Sequence, residues 1–159
     1  MFKAVLLGVA LALTIGGGAV AKMEGLLWAP AKPMYIASRD IDALVAKTKD
    51  GLASAKLPTG SPSHVVMVAH READGEVEVH TKLADEIIVR TGHAQFRVGG
   101  KVSGQRQTAP DEFRGGSITG GELFDLKPGD AIWVPVGQPH QMLVKKGEQI
   151  TYTAAKFPG

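Results

Sequence analysis

Gly129-Asp130-Ala131-Ile132-Trp133-Val134-Pro135-Val136-Gly137-Gln138-Pro139-His140 reads as a turn, a short apolar strand and a second turn. Lys127-Pro128-Gly129-Asp130 brings proline, which presets φ, and glycine, which accepts positive φ, to the start of the run. Pro135 has no amide hydrogen to give a ladder and ends the run, while Gly137 and Pro139 turn the chain so that His140 opens the next strand. Continued as His140-Gln141-Met142-Leu143-Val144, the period of two puts His140, Met142 and Val144 on one face. That face is expected to look into a barrel, with the imidazole at its mouth. Trp133, between Ile132 and Val134, reads as core rather than as a stacking platform. Taken alone, His140 is equally a histidine that only hydrogen-bonds at a strand end.

On both sides of this stretch the chain consists of short strand-like runs separated by turn residues. Strands are expected at 64–72, 76–81, 86–91, 94–98, 123–126, 131–135, 140–145 and 149–154. This number of short strands suggests a sandwich or barrel. Gly99-Gly100 predicts a two-residue hairpin joining Phe96-Arg97-Val98 to Lys101-Val102, because such turns favour positive φ at both central positions. The segment 103–121 is long for a loop in a compact domain, so it is either a functional flap or contains a strand. Arg106, Asp111, Glu112 and Arg114 on it could reach over a barrel mouth and select an anionic ligand; a solvated loop explains them as well.

Upstream, Glu76-Val77-Glu78-Val79-His80 alternates so that Glu76, Glu78 and His80 share one face and the valines the other. Glu78 and His80 are then same-face neighbours able to converge, although the alternation also fits a solvated face with the valines inward. In the following strand Asp85, Ile87 and Val89 share a face, leaving Glu86, Ile88 and Arg90 opposite. His93 follows Gly92 at a turn and is expected to be exposed, and His64 and His70 are assigned to strand packing.

The 129–140 stretch resembles the second motif of the cupin superfamily, Gly-x5-Pro-x-Gly-x2-His, with Gly129, Pro135, Gly137 and His140 at its fixed positions. The closing Asn of that motif, not a metal ligand in the family, is replaced by Val144. The first cupin motif is present in degraded form: Glu78 and His80 stand in its His-x-His places, Asp85 in the Glu place and Gly92 at its end. Its leading glycine fails, since Gly75 lies too close to Glu78. A competing registration pairs His80 with Lys82 and takes Glu86 as the acid, which places a protonated amine where a ligand is needed. The resemblance implies an all-β, cupin-type antiparallel jelly-roll barrel over 64–159. It also implies metal ligands at Glu78, His80, Asp85 and His140. Arg114 and Met142 are the expected substrate-binding residues.

With no cysteine in 159 residues, disulfides, thiol nucleophiles and Cys-ligated zinc are excluded. Two imidazoles with carboxylates make a mixed N/O set suited to a divalent transition metal: Mn, Fe, Ni, Cu or Zn. A net charge of +2 and the lack of a long basic run argue against a nucleic-acid partner.

The N-terminus reads as a secretory signal peptide over 1–21: Lys3, an apolar run over 4–15 and the small-x-small site Ala19-Val20-Ala21. That run is shorter than a membrane-spanning helix needs, so no integral span is expected after cleavage, and the protein is expected in the periplasm or secreted. Residues 22–63 read as a leader holding one short amphipathic helix. Ile41, Leu44 and Val45 give the helix its apolar stripe, Ser38 or Asp40 can cap its start and Gly51 can close its end. Residues 56–63 read as a connector. The expected function is binding of a small organic molecule in the barrel at the metal; the alternative is a metal-dependent oxidoreductase or isomerase. Cupins commonly dimerise, but no apolar stripe in this sequence establishes a homodimer.

Overall fold

The structure is a computed structural model that describes residues 35–57 and 65–159. The signal segment, residues 22–34 and 58–63 of the leader, and His64 lie outside those residues. The one helix described, α1 (Ser38–Val45), buries Ile41, and the Asp40 carboxylate accepts the Ala37 amide at 2.9 Å, so Asp40 rather than Ser38 serves the N-terminus. No helix among the described residues is long and apolar enough to cross a membrane.

The strands, in chain order, are β1 (Leu52–Leu57), β2 (Val65–Arg71), β3 (Glu78–His80), β4 (Leu83–Gly92), β5 (Ala94–Val98), β6 (Lys101–Ser103) and β7 (Arg106–Ala109). They continue as β8 (Glu112–Arg114), β9 (Ser117–Thr119), β10 (Glu122–Leu126), β11 (Ala131–Val134), β12 (His140–Leu143) and β13 (Ile150–Pro158). One sheet runs β1-β2-β13-β4-β11, a second runs β10-β5-β12-β3-β8-β7, and β6 pairs with β9. The pairings are antiparallel throughout, as an all-β jelly roll requires.

The core lies between the two large sheets. Ile87, Val89, Val134, Ile150 and Tyr152 from the first sheet meet Phe96, Leu126 and Met142 from the second. Phe96 is 2% and Ile150 0% exposed, so this packing supplies the main apolar burial. The period of two holds as read: His140, Met142 and Val144 are buried together, as are Asp85, Ile87 and Val89.

Three expectations are corrected. Gly99 and Gly100 do adopt positive φ, but β6 pairs with β9, not β5. Both edges of β5 are already taken, by β10 and β12, and the Gly99 amide bonds to the Pro139 carbonyl at 2.8 Å, so no edge remains for a hairpin partner. Lys56 and Leu57 are not connector but the end of β1, which pairs with β2 along six residues. Trp133 is 54% exposed and stacks on Phe157 at 5.6 Å between ring centroids; its neighbour Val134 is the side chain that alternation turns inward. The 103–121 segment resolves into β7, β8 and β9, so it is strand and not an open flap.

Candidate functional site

Two cross-strand pairs, one on each sheet, face each other across the interior. In the first sheet Lys156 of β13 stands opposite Asp85 of β4, and in the second His140 of β12 stands opposite Glu78 of β3. The Lys156 ammonium donates to both Asp85 oxygens, at 2.8 and 2.7 Å. His80, two residues from Glu78 and on the same face, reaches between the pairs. Its Nε2 lies 2.8 Å from Lys156 Nζ, 3.4 Å from Asp85 Oδ2 and 3.5 Å from Glu78 Oε2. The two imidazole rings are 5.2 Å apart, and His140 Nε2 is 3.6 Å from Asp85 Oδ2.

The backbone holds these groups with little freedom. Gly137, at φ +77°, gives its amide to the His80 carbonyl at 2.8 Å, so the turn before His140 is fastened to the strand that carries His80. The loop before β3 is tied to β12 by the Gly75 amide on the Met142 carbonyl and by the Val144 amide on Asp74 Oδ1.

His140 Nδ1 donates to the Gln138 carbonyl at 3.1 Å, which leaves the Nε2 lone pair facing the interior. Burial lowers the His140 pKa below the ordinary imidazole value, so the ring is neutral at neutral pH. For Glu78, burial works against ionisation but is outweighed by the His80 contact and the Arg114 charge, which hold the carboxyl at about 2. Arg114 donates to Glu78 at 2.6 Å and to Glu112 at 3.1 Å. Burial also opposes a charge on His80, yet Asp85 and Glu78 draw a proton toward it and raise its pKa overall.

Glu78, His80 and His140 each offer a ligand atom, and the three atoms lie within 4.8 Å of one another. One carboxylate and two imidazoles fit a divalent first-row ion in kind and spacing. Asp85 reaches the same place, but both its oxygens are engaged by Lys156. Glu86 of the competing registration faces away from the interior, across from Trp133, and Lys82 is exposed.

Beside this cluster is a cavity of about 150 Å³. Glu78, Asp85 and His140 line it together with Arg71, Arg114 and Lys156, and Phe96, Met142 and Tyr152 form an apolar wall. Arg114 and Met142, both singled out from the sequence, thus reach it. Glu112 lies 3.5 Å from His80 Nδ1, Arg106 pairs with Glu76 on the cavity wall, and Asp111 pairs with Lys82 at the surface. His70 is buried against Thr151 and Glu72, and His93 is exposed. Sequence reasoning missed Lys156, Arg71 and Tyr152, whose hydroxyl accepts from Arg71 Nε at 3.1 Å. The signal for Tyr152 and Lys156 was the alternation Tyr152, Ala154, Lys156, but the last strand was expected to stop at Ala154.

The Schizosaccharomyces pombe Cnp3 cupin domain superposes with a TM-score of 0.52 at 13% identity, over 72% of this chain and 72% of that one. The chain has the cupin fold. The cupin-2 domain protein Rru_A2000 of Rhodospirillum rubrum matches with a TM-score of 0.50 at 13% identity, over 67% of this chain and 60% of that one. A recombinant oxalate oxidase in complex with glycolate gives 0.50 at 11% identity, over 70% of this chain and 53% of that one. The chain therefore spans less than two thirds of the length of these last two. No protein-family model matches the sequence, and no curated protein matches it.

Proposed function

We propose that this cupin-fold chain is an exported protein that binds a small organic molecule between its sheets, at a divalent transition-metal ion held by Glu78, His80 and His140. The carrying observation is the convergence of three ligand atoms within 4.8 Å. Bound there, the ion supplies a Lewis-acid centre for an oxygen or nitrogen of the ligand. Asp85 stays paired with Lys156 and orients it rather than ligating. A cavity of about 150 Å³ suits a molecule of roughly ten non-hydrogen atoms, its polar end toward Glu78 and its body against Met142 and Phe96. Export is supported by the signal-peptide pattern over 1–21.

The test is metal content and titration of the purified protein with Co²⁺. Near-stoichiometric binding that is lost in His80→Ala and in His140→Ala, with thermal unfolding retained, is the expected result. Wild-type protein that folds and takes up no Co²⁺ overturns the metal reading.

A second reading, turnover by a metal-dependent oxidoreductase or isomerase, is favoured by Tyr152. Its side chain lines the cavity and its hydroxyl, which accepts from Arg71 Nε, keeps a hydrogen that can be given to a bound ligand. A ligand that raises the melting temperature and is recovered unchanged excludes turnover; its conversion, lost in Tyr152→Phe, establishes it.

A further inference from the structure

We infer that Lys156 is a built-in competitor for the divalent ion, its ammonium holding the one lone pair through which His80 would ligate, so that an ion completes its coordination only by displacing it. This rests on the metal reading above.

Lys156 is no loose surface lysine. Its side chain is 11% exposed, and its Nζ is fixed by contacts of 2.7, 2.8 and 2.8 Å to Asp85 and His80. The position follows from register, since Lys156 stands directly opposite Asp85 and on the inward row with Tyr152 and Ala154. An imidazole nitrogen has a single in-plane lone pair. Whichever nitrogen carries the shared hydrogen, the 2.8 Å contact fills the one in-plane bonding direction of His80 Nε2. A metal bond of about 2 Å to the same atom occupies the same direction, so the two exclude each other. Nδ1 offers no alternative, being turned toward Glu112 at 3.5 Å.

The two histidines therefore differ. His140 Nε2 has no hydrogen-bond partner among the described residues and lies 3.6 Å from Asp85 Oδ2, whereas His80 is capped. Exchange leaves no charge stranded: the ammonium has three hydrogens, two already on Asp85, and gives up only the third. Once freed, that hydrogen faces the cavity beside the ion and can pair with an oxygen of the ligand.

Co²⁺ titration by calorimetry, with the visible d–d bands read in parallel, tests this on wild type, Lys156→Met and the double variant Lys156→Met/Asp85→Asn. The double variant removes the competitor without leaving Asp85 as a new free carboxylate, and neutralising both partners of a buried pair preserves folding better than removing one. The expected result is Co²⁺ affinity about ten- to a hundredfold tighter in the double variant than in wild type. Equal or weaker affinity in a folded double variant overturns the inference while leaving the metal reading intact. A gain confined to Lys156→Met also overturns it, because the added affinity then comes from Asp85. Should no protein of the set bind Co²⁺, the metal reading falls and this inference with it. An independent measurement needs no variant: the ¹³Cε resonance of Lys156 in wild type shifts on saturation with Zn²⁺, and an unchanged resonance at saturation overturns the displacement.

Discussion

The inward rows of β4, β12 and β13 differ sharply from one end to the other. Each starts with an ionisable group, Asp85, His140 or Lys156, and continues into apolar residues: Ile87 and Val89, Met142 and Val144, Ala154 and Tyr152. At the apolar end the side chains need mainly shape and volume, with Tyr152 adding a hydrogen bond from Arg71. At the charged end every group has a named partner within about hydrogen-bonding reach, and removing one strands another. The same strands thus provide a stiff half that tolerates little loss of volume and a polar half that tolerates little loss of balance.

Paired substitutions break this comparison most forcefully. Phe96→Ala at the apolar end and Asp85→Ala at the charged end each cost about 3–5 kcal/mol, the first by cavity formation and the second by leaving the Lys156 ammonium buried and unpaired. Denaturant unfolding separates the mechanisms, because adding Lys156→Met restores most of the loss in the Asp85 variant and none in the Phe96 variant. Equal rescue of both would erase the distinction.

Acid comes next. Glu78 has a folded pKa of about 2 against an ordinary value of 4.5, so its contribution is fully present above pH 4.5 and is lost as pH falls toward 2. The loss is of the order of 3 kcal/mol. Urea unfolding at stepped pH on metal-free protein reads it, and Glu78→Gln flattens the curve in that window; parallel curves would place the acid sensitivity elsewhere. The smallest effect is at Trp133, outside both halves: Trp133→Ala changes stability by less than about 1 kcal/mol despite the size of the side chain, as a thermal melt would show.

The charged end was legible in unequal measure. Gly129, Pro135, Gly137 and His140 mark one ligand through turn chemistry that acts within a dozen residues, and alternation alone placed Asp85 inward and Glu86 outward. The partners of these groups were not legible, because they are fixed by register between strands remote in sequence. Lys156 meets Asp85 across a separation of 71 residues, and Arg114 meets Glu78 across 36. β1 escaped notice because Leu52-Ala53-Ser54-Ala55-Lys56-Leu57 lacks β-branched and aromatic residues. The Gly99-Gly100 hairpin failed for a related reason: local turn preference was satisfied, but pairing was decided by which edges of β5 remained open.

The bond from the Gly137 amide to the His80 carbonyl joins two ligand-bearing segments that lie 57 residues apart along the chain. Both imidazoles therefore ride on a single brace. A bulkier residue at 137, forced into a left-handed backbone, would tilt the pair in concert, so drift in this turn retunes the whole coordination sphere at once instead of one donor at a time.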